Sequence, residues 1–511
     1  MTAPDTPRAS ALRGLVAHPL PWLLLLAAAH VAVRVALSPA LKWDEAEQML
    51  WSQQLALGYG AQPPLYTWLQ WGVNQVLGPS VLALSLLKHV LIALACVFMW
   101  LAGRELLGPR GAWWAAASLL ALPPLGWFSI RDQTHTVLVT ALTCGAWWLL
   151  LRLARRPRPV EFAGLGLVCG LAMLAKYSFA LVAAAMLLAA LSAPASRRAL
   201  LARGWWWAPL AGMLVALPHA VWLASHLHEA TAATLEKMQI QPERYWGEGL
   251  LNLLDACAGT LGLWALIALW AFRSACWRAP AEPQTAWVRR LFGRYLILIG
   301  LALLGMTLLA GVTQFKGRWV LPLLCVTPLA ALAARPALQD HPRAGRYTGA
   351  LAALALILLA AGAARPWVSG LRGQMDALHY PAVALEAALR ADGYDGQGRI
   401  VAADHILAGT LRTRFPQAAA QACEPSRQAV PPCVAAAIAS AQRAGQGWLL
   451  VSHDYRAAPD WWEQAATAVP GLTARSIALP LTMMRPGTAP ARYRYSWHPA
   501  DATSRATIRP P

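Results

Sequence analysis

Long runs of apolar residues, separated by short polar connections, cover the first 365 residues of the chain. A transmembrane helix needs about 20 such residues to cross the hydrocarbon core of a bilayer, and about eleven segments come near that length. The pattern predicts a polytopic all-α membrane domain, in which the short fifth and sixth segments could also form one re-entrant pair. The predicted spans are residues 20–38, 81–102, 112–128, 134–151, 160–175, 178–193, 205–224, 250–272, 295–312, 319–334 and 347–364.

The pattern changes after residue 365, where no long apolar run remains. Short β-type stretches at residues 399–403 and 448–452 alternate with Ala- and Leu-rich helical stretches. This alternation is typical of a small α/β domain. We therefore expect two domains, a transmembrane domain over residues 1–365 and a C-terminal α/β domain over residues 366–511.

Both predicted strands of the tail end in a polar pair, Asp404-His405 and His453-Asp454. Open α/β sheets bind ligands at the carboxyl ends of their strands, so the two pairs could line a crevice. The simpler interpretation is that these side chains cap the helices that follow.

Charge and composition support a membrane protein and orient it. With 58% hydrophobic and 13% charged residues the chain is too apolar for a soluble domain. The net charge of +19 could indicate a nucleic-acid partner, but nineteen arginines lie in alternate connections, as in a positive-inside pattern. This places the N-terminus in the cytoplasm and the first connection and the tail outside. The first apolar run has no small-residue cleavage site, so we expect it to remain as the first span.

The first external loop carries an unusual group of charges. Of the 24 acidic residues in the chain, Asp44, Glu45 and Glu47 fall within four positions. The spacing predicts a helix lying on the membrane, followed by a second interfacial helix that begins at Pro63 and Pro64. The apolar face would hold Trp43, Ala46, Leu50 and Leu57, and the polar face Glu45, Gln48 and Ser52.

A carboxylate at the outer membrane surface suits a transfer reaction. Asp or Glu can accept the proton of an attacking hydroxyl, and cations can stabilise a departing phosphate. Each cation could instead snorkel to lipid headgroups. Asp132 opens the fourth span and is either a charge at a helix N-terminus or a partner of Asp44 in metal or substrate binding. The outward cations considered for the phosphate are Lys42, Arg131, Lys176, Lys316 and Arg318.

The order of these motifs resembles a known family. A first span, an external Asp44-Glu45 pair, an amphipathic helix ending in Gly58-Tyr59, and then Pro63-Pro64-Leu65-Tyr66 are similar to the polyprenyl-phosphate-sugar-dependent glycosyltransferases of the C superfold. The narrower resemblance is to the bacterial branch with lipid A aminoarabinose transferases and protein O-mannosyltransferases. Supporting motifs are Leu174-Ala175-Lys176-Tyr177 and Lys316-Gly317-Arg318-Trp319.

The resemblance implies roles for individual residues. Asp44 would be the catalytic carboxylate, with Glu45 beside it, and Asp132 the second acidic position. Lys176, Lys316 and Arg318 would hold the donor phosphate, while Pro63, Pro64 and Tyr66 would position the loop and the donor. Aminoarabinose transferases carry a basic residue before the two prolines, where this chain has Gln62. Gln62 donates a hydrogen bond without neutralising a phosphate, so donor contact is weaker there or Lys42 substitutes.

The implied function is a membrane glycosyltransferase that moves a sugar, with inversion, from a polyprenyl-phosphate donor. The acceptor would be lipid A, another glycan or a protein, on the periplasmic side of a bacterial inner membrane. The Ala-, Leu- and Arg-rich composition fits a GC-rich bacterium and hence undecaprenyl phosphate as carrier. The alternative is a transporter of a lipid-linked or anionic substrate, although no paired repeats are visible. A divalent metal is left open, because the carboxylates and scattered histidines form no recognisable ligand set.

The cysteines of the tail differ from the other six, which lie in or beside apolar spans. Cys423 and Cys433 would meet oxidising conditions outside the cell membrane and could form a disulfide there. The alternative is that both are buried thiols.

Overall fold

The computed structural model describes residues 19–238, 246–278, 286–455, 458–469 and 471–500. Arg8 and Arg13, which support the predicted orientation, lie outside this part of the chain. Internal contacts divide the chain into two units. The first unit contains the chain up to His30, Ala56–Tyr66 and Lys88–Ala360. The second unit contains Val31–Leu55, Thr67–Leu87 and the chain from Ala361 onward.

Helices account for the described structure as far as residue 391, in agreement with the predicted class. The α-helices are α1 (Pro19–Leu37), α2 (Trp43–Trp51), α3 (Leu65–Leu77), α4 (Val81–Leu106), α5 (Pro109–Ser118), α6 (His135–Arg155), α7 (Pro159–Ala175), α8 (Phe179–Ser192), α9 (Pro194–Leu200), α10 (Trp207–Ser225), α11 (Leu227–Met238), α12 (Trp246–Phe272), α13 (Ala275–Arg278), α14 (Ala286–Leu308), α15 (Gly317–Leu324), α16 (Thr327–Ala334), α17 (Ala344–Leu371) and α18 (Ala382–Ala391). Short 3₁₀ or π turns cover Leu119–Ala121, Pro124–Ser129, Pro336–Asp340 and Ala377–His379.

Fewer helices can span a membrane than the eleven apolar runs suggested. Within the described ranges eight spans are long and apolar enough, with α15 and α16 counted together as Gly317–Ala334. The number is nine if α8 and α9, which are bent by 110° relative to each other, also count as one span. The run at 112–128 is broken because Pro123 and Pro124 cannot continue the hydrogen-bonding of α5, and a π turn follows. The helix α7 has 17 residues, which is shorter than a full span.

Small residues bring two helices of the first unit into close contact. Gly166 and Gly170 of α7 face Ala208 and Gly212 of α10, and a Cβ at Gly166 would lie 1.9 Å from the Ala208 carbonyl oxygen. Membrane helices commonly pack through such stripes of small residues, because close backbone approach increases van der Waals contact. The contact fixes the end of α7, and thus Lys176 just beyond it, relative to α10.

The tail of the second unit is an α/β domain, as predicted. Its strands are β1 (Arg399–Ala402), β2 (Ala419–Ala422), β3 (Trp448–His453), β4 (Arg475–Leu479) and β5 (Ala491–His498), with α19 (His405–Arg414), α20 (Val430–Arg443) and α21 (Trp461–Ala468) between them. The sheet order is β2-β1-β3-β5-β4. The first three strands are parallel, and β5 and β4 are antiparallel to their neighbours.

Two apolar clusters cover the faces of this sheet. One contains side chains of α18 and α19 with Ile400 and Leu449, and it includes Ala40 from the segment before α2. The other joins α20 and α21 to Val401 and Leu450. A disulfide links Cys423 to Cys433 at this second face. Ala40, in the segment before α2, therefore belongs to the core of the tail domain.

The polar pairs at the strand ends act within the domain. Asp404 is the N-cap of α19 and accepts hydrogen bonds from the backbone N–H groups of Ile406 and Leu407 at 2.8 and 3.1 Å. Its second carboxylate oxygen accepts from His453 Nε2 at 2.6 Å. Both side chains are buried. Asp404 therefore caps a helix, as the simpler of the two predicted interpretations has it, while His453 bonds to Asp404.

Candidate functional site

A buried ion pair fixes the helix that carries the predicted acidic motif. Arg34, in the last turn of α1, donates to the two carboxylate oxygens of Glu45 at 3.2 and 2.7 Å. Glu45 also accepts from the backbone N–H of Lys42 at 3.2 Å, which satisfies a donor at the helix start. Arg34 donates in addition to the carbonyl oxygens of Ser38 and Ala40. The end of α1, the connecting residues and the start of α2 are therefore held in one arrangement.

The two carboxylates of the Asp44-Glu45 motif have different surroundings. Glu45 is 1% exposed and engaged with Arg34. Asp44, the second residue of α2, is partly exposed. The helix N-terminus stabilises an ionised carboxylate at this position. The geometry suits Glu45 to structural support, and Asp44 is the more exposed carboxylate of the pair.

Lys42, the residue before α2, is anchored to the tail. Its ammonium lies 2.9 and 3.1 Å from the carboxylate oxygens of Asp376, which also accepts from Arg365. Burial raises the pKa of Asp376, but the nearby Lys42 and Arg365 outweigh it and hold that pKa well below its ordinary value. These three side chains carry one net positive charge. Lys42 thus has a structural partner in addition to its predicted role at the donor phosphate.

Residues from both predicted faces of α2 are buried, including polar ones. Gln48 and Ser52 are buried, while Trp43 is 42% exposed. Gln48 accepts from the Thr67 hydroxyl at 3.0 Å, and Ser52 accepts from the Asn74 amide at 2.9 Å. Because α3 offers these polar partners, the polar face of α2 is buried without losing its hydrogen bonds.

In the first unit, Thr136 brings two of the predicted phosphate-binding segments together. Lys176 Nζ donates to the Thr136 hydroxyl at 3.0 Å. The same hydroxyl lies 3.5 Å from the carbonyl oxygen of Arg318. Thr136 belongs to the first turn of α6, four residues after Asp132. The loop after α7 and the start of α15 therefore meet at the start of α6.

The start of α15 is strongly electropositive. Lys316 is its N-cap residue and Arg318 its second residue. The Lys316 ammonium lies 5.6 Å from the Trp319 ring centre, within the range of a cation–π contact. Two cations at the positive end of a helix dipole raise the local potential. Such a site is suited to a phosphate.

The proline motif lies beside α6. Tyr66 is buried, and its ring centre is 5.4 Å from that of His135 in the first turn of α6. Pro63 and Pro64 are also buried and immediately precede α3. Gln62 closes a tight turn through paired backbone hydrogen bonds with Tyr59. The motif thus leads Tyr66 onto α6, next to Thr136.

A hydrogen-bonded chain connects the Gly-Tyr loop with the Lys176 turn. His219 Nδ1 lies 2.6 Å from the Leu57 carbonyl oxygen, and its Nε2 lies 3.1 Å from the Tyr177 hydroxyl. The backbone carbonyl can only accept, so Nδ1 donates and Nε2 accepts from Tyr177. Trp222 packs so closely on Gly58 that a Cβ there would meet its ring at 2.3 Å. His219 therefore positions both segments.

Asp132 lies in the turn between the π segment and α6 and is partly exposed. Its neighbour Arg131 has its guanidinium 5.1 Å from the Trp127 ring centre. No group of three or more His, Cys, Asp or Glu side chains suited to a metal ion occurs in the part of the chain that the structure describes.

Three residues of these clusters were not identified as functional candidates from the sequence. Arg34 interrupts the first apolar run. An arginine inside a membrane span indicates a buried partner, and this could have identified Arg34 from the sequence. His219 similarly lies within the apolar helix α10. Thr136 gave no signal, because a threonine near a helix start is usually a local hydrogen-bonding residue.

Comparison with known proteins shows sequence relatives over most of the chain. The family model described as dolichyl-phosphate-mannose-protein mannosyltransferase matches residues 61–222. The chain is 34% identical over 412 residues to the lipopolysaccharide core galacturonosyltransferase RgtA of Rhizobium johnstonii, covering 77% of this chain and 80% of the relative. It is 31% identical over 404 residues to RgtB of the same organism, described in the same words, covering 77% and 81%.

Solved structures share the fold at low sequence identity. The crystal structure of ArnT from Cupriavidus metallidurans in the apo state has a TM-score of 0.59 at 15% identity, covering 93% of this chain and 98% of that chain. The structure of the same protein bound to undecaprenyl phosphate has a TM-score of 0.54 at 14% identity, with the same coverage. These similarities concern the arrangement of helices and strands along nearly the whole chain.

Proposed function

Because the chain belongs to the family of C-superfold glycosyltransferases that includes RgtA and RgtB, we propose that it transfers galacturonic acid from undecaprenyl phosphate to a lipopolysaccharide. The choice of galacturonic acid rests on the relatives RgtA and RgtB, since both are described as galacturonosyltransferases of the lipopolysaccharide core. A lipid A galacturonosyltransferase, RgtD, is 28% identical over 241 residues, or 46% of this chain. The proposed acceptor is therefore the core or the lipid A part.

The family establishes the broader reaction. The chain is a multi-pass inner-membrane enzyme that moves a sugar from a polyprenyl-phosphate donor to a glycan or lipid acceptor on the periplasmic side. This confirms the class expected from the sequence, and the transporter alternative is not favoured. We also propose that the N-terminus is cytoplasmic and that the α/β tail is periplasmic. The proposed domain boundary lies near residue 365.

Asp44 has the role of base in the proposed mechanism. Its carboxylate accepts the proton of the acceptor hydroxyl while that oxygen attacks the anomeric carbon of the sugar. The bond between this carbon and the phosphate oxygen breaks, its electron pair leaves with undecaprenyl phosphate, and the configuration inverts. Glu45 supports Asp44 from the buried ion pair with Arg34.

The cations stabilise the leaving phosphate in the proposed mechanism. The observation that supports this role is the meeting of the Lys176 and Arg318 segments at Thr136, next to the electropositive start of α15. Lys316 and Lys42 add positive charge for the phosphate and for the carboxylate of a uronic acid. Asp132 is proposed to orient a sugar hydroxyl, with Gln62, Pro63, Pro64 and Tyr66 shaping the donor side.

The donor assignment is tested with purified protein and three synthetic donors. Undecaprenyl phosphate bearing galacturonic acid, aminoarabinose or mannose is mixed with rough lipopolysaccharide, and product is detected by mass spectrometry. We expect transfer of galacturonic acid at least about tenfold faster than the other sugars, because specific polar contacts to a sugar are lost with the wrong one. A preference for mannose, which is neutral, or for aminoarabinose, which is cationic, would contradict the proposed donor but not the reaction class.

Replacing Lys176 with methionine is expected to raise the KM for the donor about 10- to 100-fold. The variant loses a charge-assisted contact to phosphate, which is worth roughly 1.5–3 kcal/mol. The measurement is initial rate against donor concentration. Arg290→Gln, at an exposed side chain of α14, is the control for loss of one cation and should behave as wild type. A Lys176→Met enzyme with unchanged kinetic constants would remove Lys176 from the donor site.

A further inference from the structure

We propose that the tail domain is part of the catalytic apparatus, because its helix α19 clamps α2 and thereby positions Asp44. This inference rests on the proposed role of Asp44 as base. It assigns a function to the C-terminal domain and makes Gly409 and Thr410 positioning residues for the transfer reaction. All the contacts concerned lie within the second unit.

The two helices approach each other at Gly409. A Cβ on this glycine would lie 2.7 Å from Ala46 Cα, 2.8 Å from Ala46 Cβ and 2.8 Å from the Ala46 carbonyl oxygen. Two of these three atoms belong to the backbone of α2, so no side-chain rotation could make room. Ala46 lies two residues after Asp44 in the same helix. Any displacement at Gly409 is therefore passed directly to the turn that carries the base.

Hydrogen bonds and apolar contacts extend this clamp. The Thr410 hydroxyl accepts from the Leu41 backbone N–H at 3.1 Å, just before α2 begins. Ile406 of α19 packs with Leu41, Ala46 and Met49 in a buried cluster. The clamp thus holds α2 at its start and along the face that carries Ala46.

The clamp is itself anchored to the sheet. Asp404 caps α19 and is held by His453, which ends the neighbouring strand β3. His453 Nδ1 in turn accepts from the Tyr455 backbone N–H at 3.2 Å. Buried and fully hydrogen-bonded groups of this kind hold a functional side chain more accurately than a loop does. The support runs from the sheet through α19 and α2 to Asp44.

Gln53, just after α2, secures the other end of this helix. Its amide donates to the Ala420 carbonyl oxygen at 2.8 Å and accepts from the Ala420 N–H at 2.8 Å. The side chain thereby occupies the free edge of β2 as a backbone amide of a neighbouring strand would. Both ends of α2 are consequently tied to the tail.

The test compares four variants of the full-length protein in detergent. Gly409→Ala is expected to lower kcat about tenfold or more with the donor KM changed by less than about twofold, since small misplacement of a catalytic group affects mainly the chemical step. Its matched control is Gly72→Ala, a glycine in helix α3 with open space around it. Thr410→Val should also lower kcat, whereas Thr410→Ser keeps the acceptor and should restore it.

Hydrogen exchange of residues 41–53 gives a second readout that does not depend on activity. We expect faster exchange there in Gly409→Ala and Thr410→Val than in wild type and Gly72→Ala. Unchanged exchange in both variants would overturn the clamp, whatever their activity. Faster exchange with an unchanged kcat would overturn its role in positioning. A Thr410→Ser variant as slow as Thr410→Val would also contradict it, since the loss of activity would then not follow the loss of the hydroxyl.

These outcomes are separable from failure of the proposed function. If wild type transfers none of the three sugars, or if Asp44→Asn is as active as wild type, the proposed function fails. The exchange experiment still decides whether α19 holds α2. If Asp44→Asn is inactive while Gly409→Ala and Thr410→Val match wild type in kcat, the proposed function stands and the clamp inference fails.

Discussion

Replacing Asp44 with asparagine is expected to lower kcat about 1,000-fold or more, because the amide cannot accept the proton of the acceptor hydroxyl. The side chains are nearly equal in size, and Asp44 is partly exposed, so the fold should not change. The KM for the donor should stay near its wild-type value, since the phosphate is proposed to bind to cations. Steady-state rates with undecaprenyl-phosphate galacturonic acid measure both constants.

Glu47→Gln is the matched control for loss of a carboxylate from α2. Glu47 lies 3.4 Å from Arg427 in a partly exposed ion pair, and such pairs contribute little to stability. We expect this variant to keep most of its activity. Comparable turnover by Asp44→Asn and Glu47→Gln would mean that the proposed base is another residue.

Replacing Glu45 with glutamine is expected to destabilise the protein by about 3–5 kcal/mol, because it leaves the Arg34 guanidinium buried without its carboxylate. The midpoint of thermal unfolding in detergent, followed by intrinsic fluorescence, measures the loss. Arg34→Leu should have an effect of similar size for the converse reason. The double variant Arg34→Leu/Glu45→Leu should recover part of the stability, since no isolated charge remains buried.

The recovery should be incomplete, because the carbonyl oxygens of Ser38 and Ala40 lose the donor that Arg34 provides. Activity of the double variant below its unfolding temperature distinguishes two roles of Glu45. Measurable turnover supports a structural role, whereas a loss as complete as that of Asp44→Asn would indicate that Glu45 itself takes part in the chemistry.

The sequence predicted features that depend on local pattern. Apolar runs located most of the spans, and the helix at Trp43 and the helix after Pro64 begin at or near the expected residues. Alternating strands and helices predicted the α/β tail with β1 and β3. These features follow from periodicity and turn residues within about ten positions of one another.

Features that depend on distant partners were not predictable in this way. The burial of Gln48 and Ser52 was not predicted, because it depends on hydrogen bonding to Thr67 and Asn74 of α3. The close contact at Gly409 gave no signal, since a glycine inside a helix is usually read as a weak position. The sequence did contain a local indication that residues 112–128 do not form one helix, namely Pro123 and Pro124.

The pairing of α2 with α19 also has a consequence for biosynthesis. Leu41 and Thr410 are 369 positions apart. At a translation rate of about 5–20 residues per second, the segment that holds α2 leaves the ribosome roughly 20 to 70 s after α2. During that interval the acidic loop has been inserted without its partner helix. From the proposed clamp we expect catalytic competence only once the last quarter of the chain is made, so a nascent chain arrested before α19 should be inserted in the membrane but inactive.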